Sequence, residues 1–560
     1  MADVDYQAIR FEYQPPPTSG AERHSYIVVG AGPVGLSLAL DLAQRGHKVV
    51  VVDDDDRLSA GSRAICFAKR TLDIWDRLGV GERMVQKGIS WNVGRVFFKD
   101  KEVWRFDLLP EPGHHRPAFI NLQQYYCEGY LYEQAVAHPN IDLRWKHQAT
   151  GVAQHDDHVT LSIDTPDGPY SASADWLVAC DGARSSLRKM LGQESHGRIF
   201  RDRFLIADVK MQASFPHERW FWFDPPFHPG QSVLLHSQPD NVWRIDFQLG
   251  WDADPAEETK PENVIPRIQS LLGPDIPFEL QWVSIYTFAC ERMENFHHGR
   301  VLFAGDAAHR VSPFGARGAN SGVQDVDNLA WKLDLVQRKL APPTLIDTYS
   351  AEREMAADEN ILNSTRSTDF ITPKSEISLL FRNTTLRLSR HYDFARRLVN
   401  SGRLSMPSAY TASVLGTPDA DTFDQRLPIG SVAPDGPISI KGHSGWWLAQ
   451  LGPGFTLALF CNGRLPSRAM LDELATLQSQ PVGLKIVVVM GLERIPDTPP
   501  GMAVIVDRGG VLAARYDVKD GACYLIRPDH HIAARWREPR VEDIHAALRR
   551  ATGLPLEVTQ

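Results

Sequence analysis

The segment Gly30-Ala31-Gly32-Pro33-Val34-Gly35 follows directly on the apolar run Tyr26 to Val29, and 23 residues after Gly30 a second apolar run, Val49 to Val52, ends in Asp53. Each residue has a separate geometric task. Gly30 permits a tight turn, Gly32 lets backbone approach a pyrophosphate, and Gly35 lets a helix pack against the preceding strand. Pro33 suits the first helical turn, where its missing N–H is not needed, and Val34 continues that turn. Unpaired N–H groups and the helix dipole then face a diphosphate, while Asp53 accepts from a ribose hydroxyl and repels a 2′-phosphate. A strand, a glycine turn, a helix, a second strand and an acid together describe an ADP-ribose site, which fits FAD or NAD and disfavours NADP.

The bulk properties bound the rest. A chain of 560 residues divides into two or three domains, and 43% apolar composition supports ordinary globular cores. Sixty basic against 69 acidic residues leave a net charge of -9, and the longest like-charge block is Asp53 to Asp56, so no nucleic-acid partner is expected. No stretch approaches the roughly 18 apolar residues of a membrane helix, and the first 24 residues are polar and proline-bearing, so the expectation is a cytoplasmic protein with no membrane partner. The six cysteines, Cys66, Cys127, Cys180, Cys290, Cys461 and Cys523, form no Cys-x-x-Cys pair, and neither a metal nor a redox dithiol is expected.

Two later segments choose between a nicotinamide dehydrogenase and a flavoprotein. One is Trp176 to Ala179 followed by Cys180-Asp181-Gly182-Ala183-Arg184-Ser185-Ser186-Leu187-Arg188. The other is Val301 to Ala304 followed by Gly305-Asp306-Ala307-Ala308-His309, then Pro313-Phe314-Gly315-Ala316-Arg317-Gly318-Ala319-Asn320 and a helix-like run to Leu340. With the first fingerprint, these resemble the ordered motifs of the single-component FAD-dependent aromatic hydroxylases, the class of para-hydroxybenzoate hydroxylase and phenol hydroxylase. The resemblance implies that Asp306, after Gly305, holds the ribityl chain of FAD. It also implies that Gly315, Gly318, Ala319 and Asn320 present the flavin pyrimidine edge with N–H groups at a helix start. Asp181 is implied near FAD and the incoming nicotinamide, with Arg184 and Arg188 meeting phosphate charge. Ser62-Arg63-Ala64 and Gln124, four residues before Glu128, are further flavin contacts by the same match. On local grounds alone, Gly305-Asp306 and Asp181-Gly182 read equally as strand ends with helix caps.

The expected fold class is α/β. It comprises a Rossmann-type FAD-binding domain (25–205 and 289–365) with an inserted antiparallel substrate sheet (206–288), as in para-hydroxybenzoate hydroxylase. Residues 1–24 read as a loose extension and 366–427 as a helical, arginine-bearing connection. The substrate sheet is read from period-two alternation in Arg219 to Phe223, Val242 to Gln248 and Gln281 to Thr287. Residues 428–560 resemble the thioredoxin-like C-terminal domain of the phenol hydroxylase and 3-(3-hydroxyphenyl)propionate hydroxylase families. Lacking a dithiol, this domain is expected to be structural or dimerising, which makes a homodimer the expected assembly.

By resemblance, NADH or NADPH reduces non-covalent FAD, O2 adds at flavin C4a, and the hydroperoxide oxygen attacks an electron-rich phenolic ring. The protein must then exclude water, orient the ring and make the phenol more phenolate-like. Trp222, Arg244, Asp246 and Tyr286 are the candidates facing the flavin, with the Pro313 carbonyl meeting the substrate hydroxyl. On an ideal strand Arg244 and Asp246 share a face opposite Trp243 and Phe247, which also suits a plain ion pair. Some relatives carry a histidine two positions after the arginine of the Arg-Ala pair, where this chain has Ile65; either Asp246, Tyr286 or His236 then becomes the candidate base, or the substrate is activated without one. His309 is expected to pack structurally. Other readings are an FAD monooxygenase acting on a polyketide, an antibiotic or a heteroaromatic acid, a flavin halogenase or reductase, and a non-catalytic FAD-binding regulator.

Overall fold

A computed structural model describes residues 4–16, 22–61, 63–212, 215–399, 404, 406–461, 467–478, 481–491 and 500–555. The first apolar run becomes the strand Glu22–Val29, flanked in parallel by Val49–Asp53 and by Tyr170–Ala179. Ile141–Trp145 extends one side and Val301–Phe303 the other. Where they are covered on both faces, at 26–29, 49–52, 176–179 and Val301–Phe303, these strands are wholly apolar, as a buried parallel sheet requires. The helix Pro33–Gln44 crosses between the first two strands with Pro33 in its first turn. As a result Gly30, Cys180 and Ala304 all lie at the carboxyl ends of adjacent strands, where open α/β sheets bind ligands.

The second sheet is wider than the 206–288 segment from which it was expected. Its order is His309–Arg310, Phe278–Met293, Ser195–Met211, Val242–Leu249, Ser232–Ser237, Arg219–Phe223, Val93–Phe98 and Lys101–Asp107. Two strands of 17 and 16 residues run without a break past both expected boundaries, at 205 and 289. The hairpin 93–107, expected within the FAD-binding part, joins in parallel at Arg219–Phe223. Its turn is made by Lys99 at φ 56°, a left-handed residue with no glycine to announce it.

Alternation gives this sheet two faces. On one, Leu205, Val209, Trp222, Val233, Trp243 and Phe247 form a core under Val264 and Ile268 of the helix Pro261–Leu272. The other turns Phe204, Asp208, His236, Arg244, Asp246 and Tyr286 toward the first domain.

The first residues are not a loose extension. Tyr6 and Phe11 are buried; the Tyr6 hydroxyl donates to Glu133 at 2.5 Å, and Phe11 stacks on Trp145 at 4.1 Å. Gly129, midway along the helix Gln124–Val136, leaves the space that the Tyr6 ring fills. The segment 366–427 is helical only in its first half. Asp347–Ile371 ends within it, Glu376–Ser389 and Asp393–Val399 follow, and the described residues from 406 to 436 contain neither helix nor strand.

In the C-terminal part, Phe455–Cys461, Leu484–Met490 and Ala503–Asp507 run parallel, and Gly521–Ile526 and Ile532–Trp536 add antiparallel on the other side of the first. Helices Arg468–Leu477 and Val541–Ala551 bury Leu471, Leu474, Ile544 and Leu548 on one face. This β-α-β, β-β-α arrangement is thioredoxin-like. All six cysteines are free thiols. No helix of the described residues is long and apolar enough to cross a membrane.

A buried ionic network fastens this domain to the first. Arg527 donates bidentately to Glu352 at 2.6 and 2.9 Å and to Asp529 at 2.6 Å; Lys332 also reaches Glu352 at 2.8 Å. Arg70 donates to the Asp529 carbonyl and to Asp327, which Arg77 shares. Such a cluster resists the loss of one member, because the remaining charges stay buried and unpaired, a penalty of about 3–5 kcal/mol. Arg527→Ala is therefore expected to lower the melting temperature by several degrees. It should also expose the 406–436 segment to limited proteolysis before the first domain unfolds; an unchanged melting profile would refute the clamp.

Candidate functional site

The glycine turn is built as its spacing requires. Gly30 sits at φ 106°, and a Cβ there would be driven into the Cys180 carbonyl; one at Gly35 would meet the Gly30 carbonyl. A Cβ at Gly32 would meet nothing within 4 Å. The contacts at Gly30 and Gly35 are internal packing, whereas the space over Gly32 is open, as a diphosphate lying on the backbone demands. The helix Pro33–Gln44 has no side-chain cap and no acid in its first turn, which leaves its N–H groups for an anion. Asp53 accepts from the Ala31 N–H at 2.6 Å and the Asp55 N–H at 2.9 Å, so it braces the turn as well as standing where a ribose would lie. Burial, with Asp54 and Asp55 nearby, pushes its carboxyl up to about 6 despite those two bonds.

The second glycine loop closes the other end of the cleft. Asp306 is solvent-accessible, yet it stands deep among protein atoms, and that enclosure raises its carboxyl. Gly305 takes φ 62° beside Val34. After a Pro313 to Ala316 turn, in which the Pro313 carbonyl accepts the Ala316 N–H at 3.0 Å, Gly315 and Ala316 lie at φ 113° and 53°. A non-glycine residue held left-handed is a conformation that the surroundings must impose. The helix Gly318–Gln337 then starts with no side-chain cap and no acid in its first turn, and Gly318 and Ala319 are accessible at its open end.

Several expected cofactor contacts turn out to hold the loops together. Asn320 accepts from the Ala68 N–H and Thr71 hydroxyl and donates to the Cys66 and Ala316 carbonyls, at 2.6 to 2.9 Å, so both valences of its amide are used on protein. Gln124 accepts from the Ala64 N–H at 3.0 Å and donates to Ser59 and Glu128, fixing the loop that carries Arg63; Ser62 lies outside the described residues. Asp181 caps the short helix Ser186–Met190 through the Leu187 N–H and keeps one buried oxygen without a partner. Arg188 does not reach out to phosphate. Its guanidinium donates to the Ala307 and Ala183 carbonyls at 2.7 and 2.9 Å, tying one motif to the other.

A residue that the motifs did not announce organises the second loop. Asp325, fully buried, accepts from the Gly305 N–H at 2.9 Å, from His309 Nε2 at 2.8 Å and from Arg353 Nε at 2.6 Å. Burial works against its charge, but His309 and Arg353 hold it below the ordinary carboxylate value. Its one signal in the sequence is an acid on the apolar stripe formed by Val323, Val326, Leu329 and Ala330. His309, stacked on Phe296, is structural.

On the sheet face that looks into the cleft, Arg244 donates to the Arg63 carbonyl at 3.0 Å, joining the sheet to the loop that carries Arg63. Its Nε lies 3.5 Å from Asp208 and 3.8 Å from Asp246, and Nε and Nη2 make no hydrogen bond. Asp246 Oδ1 and His236 Nδ1 are likewise unpartnered, with His236 Nε2 3.8 Å from Asp246. Burial raises the Asp246 carboxyl to about 6 against the pull of Arg244, while burial with Arg219 and Arg244 keeps His236 neutral. Tyr286 joins Phe204, Phe288 and Phe314 in an aromatic wall next to Pro313. Trp222 is not part of this group. It points into the opposite core, stacked on Phe97 at 5.2 Å, because it is out of phase with Arg219 and Phe221.

A site for an extended dinucleotide facing a polar, aromatic-walled cleft defines a class, and the comparisons give it a family. The family model described as "FAD binding domain" matches residues 23–364, and the chain belongs to that family. A 3-(3-hydroxy-phenyl)propionate/3-hydroxycinnamic acid hydroxylase of Mycolicibacterium gilvum (strain PYR-GCK) is 28% identical over 95% of this chain and 93% of that protein. A probable NADH-specific resorcinol 4-hydroxylase of Rhodococcus jostii (strain RHA1) is 33% identical over 60% of this chain and 64% of its own. Among solved structures, the flavin-dependent monooxygenase PieE in complex with FAD and substrate aligns with a TM-score of 0.78 at 22% identity. The alignment covers 95% of this chain and 99% of that one. The family binds FAD, and the geometry fits it.

The open space at Gly32 separates binding from folding. Gly32→Ala is expected to fold and melt like the FAD-free parent while losing FAD at least tenfold in affinity, whereas Gly30→Ala should fail to accumulate as folded protein. Equal behaviour of the two in flavin content and circular dichroism would remove the pyrophosphate from this turn.

Proposed function

We propose that this chain is an FAD-dependent monooxygenase that hydroxylates a phenolic aromatic compound, using a reduced nicotinamide and O2. The observation that carries the substrate site is the set of buried, half-satisfied polar atoms on Arg244, Asp246 and His236, facing the loop that carries Arg63. Each such atom costs about 1–3 kcal/mol if nothing pairs with it, so a ligand with hydroxyl or carboxylate oxygens is the natural complement. The full-length similarity to proteins described as 3-(3-hydroxy-phenyl)propionate hydroxylases supports a phenol with an acidic side arm. The description of the resorcinol relative as NADH-specific supports NADH as the reductant.

FAD, when bound, supplies the redox and oxygen chemistry. The Gly30 to Gly35 turn would hold its diphosphate, Asp53 its ribose, Asp306 its ribityl chain and the 315–319 loop its ring edge. The chain's own residues prepare the phenol. Arg244 directs two free N–H groups at an incoming oxygen and stabilises it as an anion; Asp246, on the same face, accepts the phenolic proton. The half-buried Arg219 adds positive charge to the same pocket, as its pull on Asp246 and His236 records. Tyr286, Phe288 and Phe314 wall the ring and exclude water, and the exposed Pro313 carbonyl retains a lone pair for a substrate hydroxyl.

Asp246 makes the reading testable through pH. A base whose carboxyl titrates near 6 must be ionised to act, so kcat/KM with the preferred phenol is expected to rise through pH 6. Asp246→Asn should remove that limb and lower kcat/KM by roughly two to three orders of magnitude. Stability should move the opposite way. A carboxyl raised from 3.8 to about 6 by folding contributes stability in full below 3.8 and loses it as pH rises through 6. At pH 8 the Asn variant should accordingly unfold at a higher temperature than the parent, and at pH 4 the gap should close. A variant that keeps the acid limb, or is less stable at pH 8, would take Asp246 out of this role.

A further inference from the structure

Helix Glu376–Ser389 is apolar on the wrong side. It buries Arg382, Thr385, Leu386 and Ser389, while Ile377, Leu380 and Phe381 are 81%, 65% and 55% exposed. The next helix, Asp393–Val399, repeats the pattern: Ala395 is buried, and Phe394 and Leu398 are 59% and 50% exposed, with Tyr392 packed beside Phe394 at 5.9 Å. Most other large apolar residues of the described chain that face solvent do so singly, which needs no explanation. Five on two consecutive helices, with Tyr392 between them, form a patch, and contiguous apolar patches of this size mark interaction surfaces.

We infer that this face is the two-fold contact between two copies of the chain. The exposed parts of Ile377, Leu380, Phe381, Tyr392, Phe394 and Leu398 amount to roughly 800 Å², about one partner's share of a standard stable interface. The rim carries both signs, with Glu376 and Asp393 beside the exposed Arg387, Arg390 and Arg397, so a two-fold axis can set acid against arginine across the contact. A lipid surface is the poorer occupant, since the patch interleaves Glu376 and Asp393 with its arginines and belongs to a chain of net charge -9. The contact is thus assigned to the helices after the FAD-binding part, not to the thioredoxin-like tail, whose two core faces are already covered within the chain. The inference stands apart from the assignment of the reaction.

The test uses FAD-loaded full-length protein in sedimentation velocity at about 1 to 50 μM. The parent is expected at twice the 62.7 kDa chain mass. Leu380→Glu combined with Phe394→Glu should sediment as a monomer while keeping its flavin content and melting temperature within a few degrees of a monomer-concentration control. Arg397→Glu, a milder change at the rim, should raise the dimer dissociation constant about tenfold. A parent that is monomeric throughout overturns the inference, as does a dimer unaffected by either variant. Flotation of a monomeric parent with vesicles of phosphatidylcholine and phosphatidylserine, lost in the double variant, would assign the patch to membrane instead.

Discussion

The structure hangs on one buried carboxylate. Asp325 lies inside the helix Gly318–Gln337 and collects three donors from three places: the Gly305 N–H at a strand end, His309 on the far side of the following turn, and Arg353 on the next long helix. Each bond alone is ordinary. Together they fix the relation between the sheet edge that presents Asp306 and the helix whose open N-terminus lies at the 315–319 loop, because all three donors converge on a single group whose position is set by helix packing. A carboxylate with no water around it is expensive unless fully paired, so the arrangement tolerates little drift.

The same logic continues outward through neighbouring residues. Arg353 also donates to the Tyr410 hydroxyl and to Ser321, while Glu352, one position earlier, receives Lys332 and Arg527. Through Arg527 the thioredoxin-like domain thus holds Glu352, on the helix whose next residue, Arg353, holds Asp325. Burial lowers the Lys332 ammonium to about 8, with Arg527 adding to the effect, yet Glu352 holds its proton in place. A domain of this fold without a Cys-x-x-Cys pair has a physical role available to it: Arg527 and Asp529 extend the buried Lys332–Glu352 pair into an ionic cluster that spans both domains.

What could be read in the sequence follows from which contacts are local. Gly30, Gly32, Gly35 and Asp53 were legible because a tight turn, a backbone approach and a strand end impose residue types at fixed spacing. Arg244 and Asp246 were legible as a pair on one strand face, because alternation is a property of the strand itself. Asp325 was not, since its donors come from residues 16, 20 and 28 positions away and nothing near it changes when they are absent. Trp222 failed for a related reason: its phase relative to Arg219 is visible, but which face meets the cleft is decided by the helix 261–272. Tyr6 depends on a gap at Gly129, and the hairpin 93–107 on a pairing with Arg219–Phe223 more than a hundred residues later. Arg188 and Asn320 stand out by their positions in the motifs, but their side-chain valences are spent on carbonyls and N–H groups that only the assembled loops bring near.

The substrate face and the loop clamp illustrate opposite uses of buried charge. Around Asp325 and Glu352 every acid is met by donors at hydrogen-bond length, and the result is rigidity. Around Arg244 the distances to Asp208 and Asp246 stretch to 3.5 and 3.8 Å, and several polar atoms are left over. A sheet able to place Trp243 and Phe247, the immediate neighbours of Arg244 and Asp246, in a tight core is not short of packing precision, so the looseness is local to one face. Unsatisfied donors and acceptors lower the stability of the free protein and raise its affinity for whatever supplies the missing partners. The flavin-side loop shares in that exchange. Arg244 spends one N–H on the Arg63 carbonyl, so under the function proposed above an oxygen that competes for the guanidinium would also alter the hold of the sheet on the loop.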